Sequence, residues 1–435
     1  MNIRALLLLS AVLVLLSVTP TVRADLTAVL RQLDADSPNL AAAKDRATAA
    51  QANLRVARSR YFGSASVFGN RTEYNDPMLI GPISPPVDLA NFTFDDSQMG
   101  FGLTVTLPLD INRRIGATVG VQEHLSSAAT HDAEHVRLFL FGRAVQLYRG
   151  LQELQGKRDA LQSQQTALNK NIEVVRANIR VGRAPRVELL RIDAERKAIE
   201  GQLAALDGRE VGLRSALAAL LGRQSYDDAI TSITNTPRAL TVQNTSDVLQ
   251  RPDVKAAERR VAAARQNVKR SNRDWLPEMQ LQVNTMQNAG LSTTYQDTWS
   301  VVLRLDWELW DGGRRIAETD NAKAGLLAFS NDLASIRHQA HQELQTAVAS
   351  WHAAKLQYES AAAGLSAAAE TERIQSDRFQ AGRISAADLI DAEAALANAM
   401  ASKTSAMAQW WLADDLAHLA IGLVPTAYSS TAASQ

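Results

Sequence analysis

Two stretches of the chain alternate apolar and polar residues with a period of two. In the first, Met99, Phe101, Leu103, Val105, Leu107 and Leu109 are separated by Gly100, Gly102, Thr104, Thr106 and Pro108. In the second, Trp299, Val301, Leu303, Leu305, Trp307 and Leu309 are separated by Ser300, Val302, Arg304, Asp306 and Glu308. This period predicts β-strands near 99–109 and 299–310, each with one apolar and one mostly polar face. About 11 residues is the span of a tilted transmembrane strand, and Trp residues near both ends of the later one suit an interfacial aromatic girdle. Weaker alternation predicts partner strands near 62–70 and 279–285, which makes four strands per chain.

Each strand pair leads into a proline-free, Ala-rich tract, near 113–181 and 314–381, with apolar residues at mixed spacings of three and four. The spacing predicts long helices packed as coiled coils, and roughly 68 residues at 1.5 Å each would reach about 100 Å. Gly182 and Gly382 suit left-handed caps at the ends of these helices. New helices are expected at 185–222 and 385–421, the first opening on Pro185 and the second on a capping box from Ser385 to Asp388. The chain would therefore form two antiparallel helical hairpins.

The order of elements occurs twice. Ser37-Pro38-Asn39-Leu40, leading to Asn53-Leu54 and Tyr61, matches Arg251-Pro252-Asp253-Val254, leading to Asn267-Val268 and Trp275. Val181-Gly182-Arg183 followed by Glu188-Leu189-Leu190 matches Ala381-Gly382-Arg383 followed by Asp388-Leu389-Ile390. Two tandem copies of a helix, strand, strand, long helix, helix unit are expected, at 25–222 and 251–422. A linker at 223–250 would join them, and a Ser/Ala-rich disordered tail would occupy 423–435.

Residues 1–24 carry Arg4, an apolar run from Ala5 to Val18, Pro20 and a small-residue end at Ala24. They read as a cleaved secretory signal, since about 14 apolar residues fall short of the roughly 20 that span a bilayer. No later segment is apolar enough to cross a membrane as a helix, so any membrane entry would be as a β-barrel. With 46 basic and 46 acidic residues, no global field favours nucleic acid. The absence of cysteine excludes a disulfide framework, a thiolate metal site and a lipidated N-terminal cysteine.

Four strands cannot close a membrane barrel, because the smallest have about eight and open edges are not tolerated in lipid. Two chains would make a barrel filled by side chains; three chains of four strands each supply twelve and leave a lumen. The tract Trp275-Leu276-Pro277, the junction from Leu305-Asp306-Trp307 to Gly312-Gly313-Arg314-Arg315, and the turn Phe379-Gln380-Ala381-Gly382-Arg383 leading to Asp388-Leu389-Ile390-Asp391-Ala392 resemble the TolC-type outer-membrane efflux protein family. The order and doubling of these motifs carry the resemblance over essentially the whole mature chain. It implies a homotrimeric, 12-stranded outer-membrane β-barrel continued by a periplasmic α-helical coiled-coil tunnel. It also implies a periplasmic membrane-fusion adaptor and an inner-membrane pump of the RND, ABC or MFS class, serving efflux or type I secretion. The duct would be passive, with no catalytic residue and no cofactor.

The resemblance places Asp388 and Asp391 in a constriction at the periplasmic end, as acidic rings that favour cations, with Glu188 as the counterpart of Asp388 in the first copy. Asp388 also suits a helix cap. The turns at Gly182, Arg183, Gly382 and Arg383 are the expected adaptor contacts. Ile384 departs from the family, which has a basic latch residue there. His124, His131 and His135 share one helix face and could serve metal export through the same duct. No carboxylate-rich or Met-rich cluster accompanies them, so solvated or interhelical histidines are the simpler expectation. A periplasmic adaptor would carry one hairpin flanked by soluble β-domains, not two with strand pairs. An outer-membrane enzyme would show a nucleophile elbow, a zinc motif or a phosphate loop, and none is present.

Overall fold

A computed structural model of the chain describes residues 23–81, 83, 85, 87, 92–182, 184–238, 240, 247–291 and 296–425. In chain order come strand β1 (Arg23–Ala24), helices α1 (Leu26–Asp36) and α2 (Pro38–Ser59), and strands β2 (Ser64–Leu79) and β3 (Phe94–Leu109). Helices α3 (Arg114–Arg180) and α4 (Arg186–Leu220), strand β4 (Ala229–Ile230), and helix α5 (Pro252–Arg273) follow. Strands β5 (Glu278–Gly290) and β6 (Gln296–Asp306) lead to helices α6 (Arg314–Gln380) and α7 (Ala386–Ala420). The protein is thus mostly helical with a small antiparallel component. Helices α3 and α6 have 67 residues each, and α4 and α7 have 35 each. Among the described residues, no helix is long and apolar enough to cross a membrane. The expected signal segment lies outside them except for Arg23–Ala24, which pairs parallel with Ala229–Ile230. The expected disordered tail lies outside them from residue 426 onward.

The chain divides into two compact units, one of which comprises 43–133 and 252–338. It holds a four-stranded antiparallel sheet of order β2-β3-β5-β6. Register places Val67, Leu103, Thr285 and Trp299 across one row, and Ala65, Val105, Val283 and Val301 across the next. These residues share one face, while Ser66, Thr104, Asn284 and Ser300 share the other, where the Thr104 hydroxyl bonds Asn284 Oδ1 at 3.0 Å. A half-buried sheet in water would turn its apolar face inward. Here none of Val67, Leu103, Val105, Leu281, Val283, Val301 and Leu303 is buried, and Val67 and Trp299 are 81% and 80% exposed.

The strands differ from their expected limits, and the reasons are physical. β2 runs on past residue 70 through Arg71, Glu73 and Asp76, polar residues that no apolar alternation marks. The pairing with β3 carries it across a register shift between Glu73 and Met78. β6 ends at Asp306, so Trp307, Leu309 and Trp310 lie beyond it. The partner of Asp306 is Glu278, and the next position on β5 is Pro277, which has no N–H to give the ladder.

Each strand-to-helix junction is held by an aspartate. Asp110 accepts the backbone N–H groups of Ile115 and Gly116, both at 2.9 Å. Asp311 accepts those of Gly313 at 3.1 Å and Arg315 at 3.0 Å, and also the Arg315 guanidinium at 2.6 Å, which stacks 4.5 Å above the Trp275 ring.

The other unit comprises 1–42, 134–251 and 339–435. Helix α1 buries Leu26, Val29, Leu30 and Leu33, a helical stripe, against Phe141, Val145 and Tyr148 of α3 and Leu217 and Leu221 of the α4 end. The expected linker enters this core through Tyr226. On α7, buried Asp415 meets buried Arg149 of α3 at 2.9 Å, and the Trp351 indole of α6 donates to Asp414 at 3.0 Å. Removing one partner of such a buried pair leaves a charge without compensation. At Gly156 of α3 the helices lie close, and a Cβ there would fall 2.0 Å from Thr404 Cγ2 and 2.6 Å from Thr404 Cβ of α7.

Gly156→Val should therefore destabilise the protein by about 2 kcal/mol through overpacking. Thr404→Ala should recover part of that loss in the double mutant, measured as non-additive shifts in thermal unfolding. Additive shifts would refute the contact.

Candidate functional site at the helical hairpin turns

The candidate residues sit where α3 turns into α4 and α6 turns into α7. Gly382 has φ +68 and Gly182 φ +72, a region that costs a side-chain-bearing residue about 1–2 kcal/mol. The Gly382 N–H donates to Phe379 O at 2.9 Å and the Arg383 N–H to Arg378 O at 2.8 Å. This paired bonding satisfies the last carbonyls of α6 while reversing the chain. At the first turn Gly182 N–H donates to Ile179 O at 3.1 Å. Arg183 lies outside the described residues.

Helix α7 begins on a complete capping box. The Ser385 hydroxyl accepts the Asp388 N–H at 3.3 Å, and the Asp388 carboxylate accepts the Ser385 N–H at 3.1 Å and hydroxyl at 2.8 Å. The Ser385 hydroxyl and then its backbone N–H hold the Asp388 carboxyl below the usual carboxylate range. The cap is present above the ordinary carboxylate pKa and is lost as pH falls through this depressed value.

Asp388 and Asp391 are both exposed and lie three residues apart, so they share a helix face. Asp391 takes no part in the box. Leu389 points the other way, into a cluster of Leu168, Ile172, Val175, Ile192, Ile199 and Phe379 that fastens the two hairpins together. Glu188 is half-buried in the first turn of α4, and its N–H donates to Pro185 O at 3.2 Å. Among the described residues no hydrogen bond or ion pair joins Glu188 to Asp388 or Asp391. Arg383 is exposed, and Ile384 packs against the cluster.

One polar residue here carries no mark in a plain motif reading. Glu393 is buried, and the Asn171 amide of α3 donates to its Oε1 at 2.5 Å. Burial pushes its carboxyl up to about 7, against the opposing pull of that hydrogen bond. Its signal lies in helical spacing: Glu393 is four residues after buried Leu389 and four before buried Ala397, and so occupies a slot of the inward stripe.

His124, His131 and His135 are each half-buried on α3. Among the described residues no group of three or more His, Cys, Asp or Glu could hold a metal ion. Burial, followed by the cations Lys255 and Arg259, lowers the His131 pKa. The same positive neighbours repel a metal cation.

An antiparallel sheet whose apolar face is uncovered, on a chain whose longest helices turn back through glycine hairpins, matches an outer-membrane channel architecture. The chain belongs to the outer membrane efflux protein family, whose model matches residues 29–223 and 247–415. Its place is therefore the cell outer membrane, with a large periplasmic helical part. Among solved structures, it is similar to VceC of Vibrio cholerae at 20% identity, with a TM-score of 0.78 over 92% of this chain and 96% of that one. CmeC of Campylobacter jejuni gives 16% identity and a TM-score of 0.79 over 94% and 88% of the two chains. MtrE of Neisseria gonorrhoeae, in its open state, gives 18% identity and a TM-score of 0.78 over 92% and 89%. No match to a curated protein sequence is found.

A left-handed turn at Gly382 and a right-handed helical position at Gly325 make different demands, although a Cβ would meet open space at both. Gly382→Val should cost at least about 1 kcal/mol, and Gly325→Val should cost less because valine gains helix propensity over glycine. Equal losses in thermal unfolding would undo the turn assignment.

Proposed function

We propose that three copies of the chain close a 12-stranded barrel, with their helical hairpins forming a periplasmic tunnel. The assembly is a passive duct for substrates handed over by a periplasmic adaptor and an inner-membrane pump. In this reading the chain is two tandem copies of one unit, exported by a signal segment at 1–24, and it catalyses no reaction. The observation that carries the reading is the polarity of the sheet. An apolar face left uncovered beside an inner row of Ser, Thr and Asn suits lipid outside and water within. The outer edges of β2 and β6, unpaired among the described residues, supply the pairing that further copies would complete.

The duct narrows at the tip of the hairpins. Asp388 and Asp391, with Glu188 near them, form the acidic constriction, and the turns at Gly182, Arg183, Gly382 and Arg383 meet the adaptor. What supports a gate role beyond capping is Asp391: it is exposed, outside the box and on the face of Asp388. The likeness to a channel crystallised in an open state is in keeping with a tip that has two states.

Two measurements test this reading. The purified protein should have the mass of a trimer, and a monomer with its sheet intact would refute the barrel. Asp388→Asn combined with Asp391→Asn should weaken cation selectivity and reduce block by divalent cations in planar bilayers, because six carboxylates at one aperture attract cations strongly. A pure capping role would give no more than about 1 kcal/mol of stability loss and unchanged reversal potential and block.

A further inference from the structure

A buried carboxyl group lies beside the apolar cluster that binds the two hairpins. Glu393 is 6% exposed on α7, within the stripe made by Leu389, Ala392 and Ala397. It faces Asn171, on the stretch of α3 that sends Leu168, Ile172 and Val175 into the cluster. Asn171 Nδ2 donates to Oε1 at 2.5 Å. The other oxygen, Oε2, is buried without a hydrogen-bond partner. A buried carboxylate requires either a cation or several donors, and Glu393 has one neutral amide. Among the described residues no cation acts on it: α3 presents Asn171, α6 contributes the acidic Glu372, and α4, which also packs against α7, adds no charge that acts on it.

We propose that Glu393 is a proton-operated latch, holding α7 against α3 as a neutral acid and loosening the hairpin contact when it ionises. The proton leaves the carboxyl for water, and the bare carboxylate then favours separation of α7 from the apolar cluster, where its second oxygen can be hydrated. The direction follows from burial. The packed state holds the proton up to a pH of about 7, whereas a carboxyl exposed to water releases it near the ordinary value of 4.5. Packing of α7 is therefore strongest at acidic pH, weakens as pH rises from the ordinary carboxylate value, and stays weakened above about 7. Asp388 does not drive this, because Ser385 holds its carboxyl below the usual range. Neither Asp388 nor Asp391 is buried in the cluster. α7 begins with the proposed gate pair, so an effect on conduction rests on the gate reading; the latch itself does not.

The chain has no cysteine, so one introduced thiol reports the contact without interference. Ala392 is buried on the latch side of α7, and Ala395 is exposed one turn further on. The full-length protein carrying Ala392→Cys should be labelled with maleimide from about pH 5 to pH 8, and each rate divided by that of Ala395→Cys to remove the intrinsic ionisation of the thiol. The normalised rate should rise about threefold or more across this range. Adding Glu393→Gln should flatten it at the acid level, since glutamine keeps the shape and accepts the Asn171 bond but cannot ionise. Adding Asn171→Ala should move the midpoint upward, because the amide favours the carboxylate. A flat profile in the Ala392→Cys protein, or an unchanged profile with Glu393→Gln, would overturn the latch. Either result leaves the trimer and bilayer tests of the duct unaffected.

Discussion

Four strands that expose their apolar face and, among the described residues, leave two edges unpaired place a demand that one chain alone cannot meet in water. Every backbone N–H and C=O within a bilayer must find a partner, so the outer edges of β2 and β6 require more strands. The remaining architecture follows from this demand. The helices must leave the sheet without fraying, which explains why both junctions spend an aspartate on the first helical N–H groups. They must also stay together over 67 residues, which Ala-rich faces and the close approach at Gly156 make possible.

The two ends of the long helices use different chemistry for different tasks. At the sheet, charged and aromatic groups lock one geometry: Arg315 is bonded to Asp311 and stacked on Trp275. At the hairpins, backbone hydrogen bonds around left-handed glycines reverse the chain, and side chains enter only afterwards, in the Ser385–Asp388 cap. The acidic pair on α7 is exposed, while Glu393, two residues beyond it, is turned inward. The proposed gate at the tip needs this contrast, since local stability sets which region can move.

The broad fold class, long helices with antiparallel strands, was legible because its signals are local. Proline-free Ala-rich tracts, glycines at the turns and a period of two need no knowledge of distant contacts. The limits of the strands were not legible, because β2 continues through polar residues that pairing with β3 stabilises, and β6 stops for want of a donor on the neighbouring strand. Both are properties of register. At the hairpins, the left-handed conformation of Gly382 could be read from the residue itself, and the capping box from Ser385 and Asp388. Glu393 escaped notice because an acid in a charged helix is ordinary. Only its place between Leu389 and Ala397 separates it from the solvated glutamates.

Pro277 deserves a last consequence. By ending the ladder between β5 and β6 it marks the level at which sheet gives way to helix, and each residue along a strand advances about 3.3 Å. Moving that proline one position toward the helix would lengthen the paired wall by one such step, and moving it into the strand would shorten it. A single imino acid thus works as a depth stop: in a membrane-spanning sheet, sliding it would match the paired length to a thicker or thinner bilayer without altering the residues of the hairpin turns.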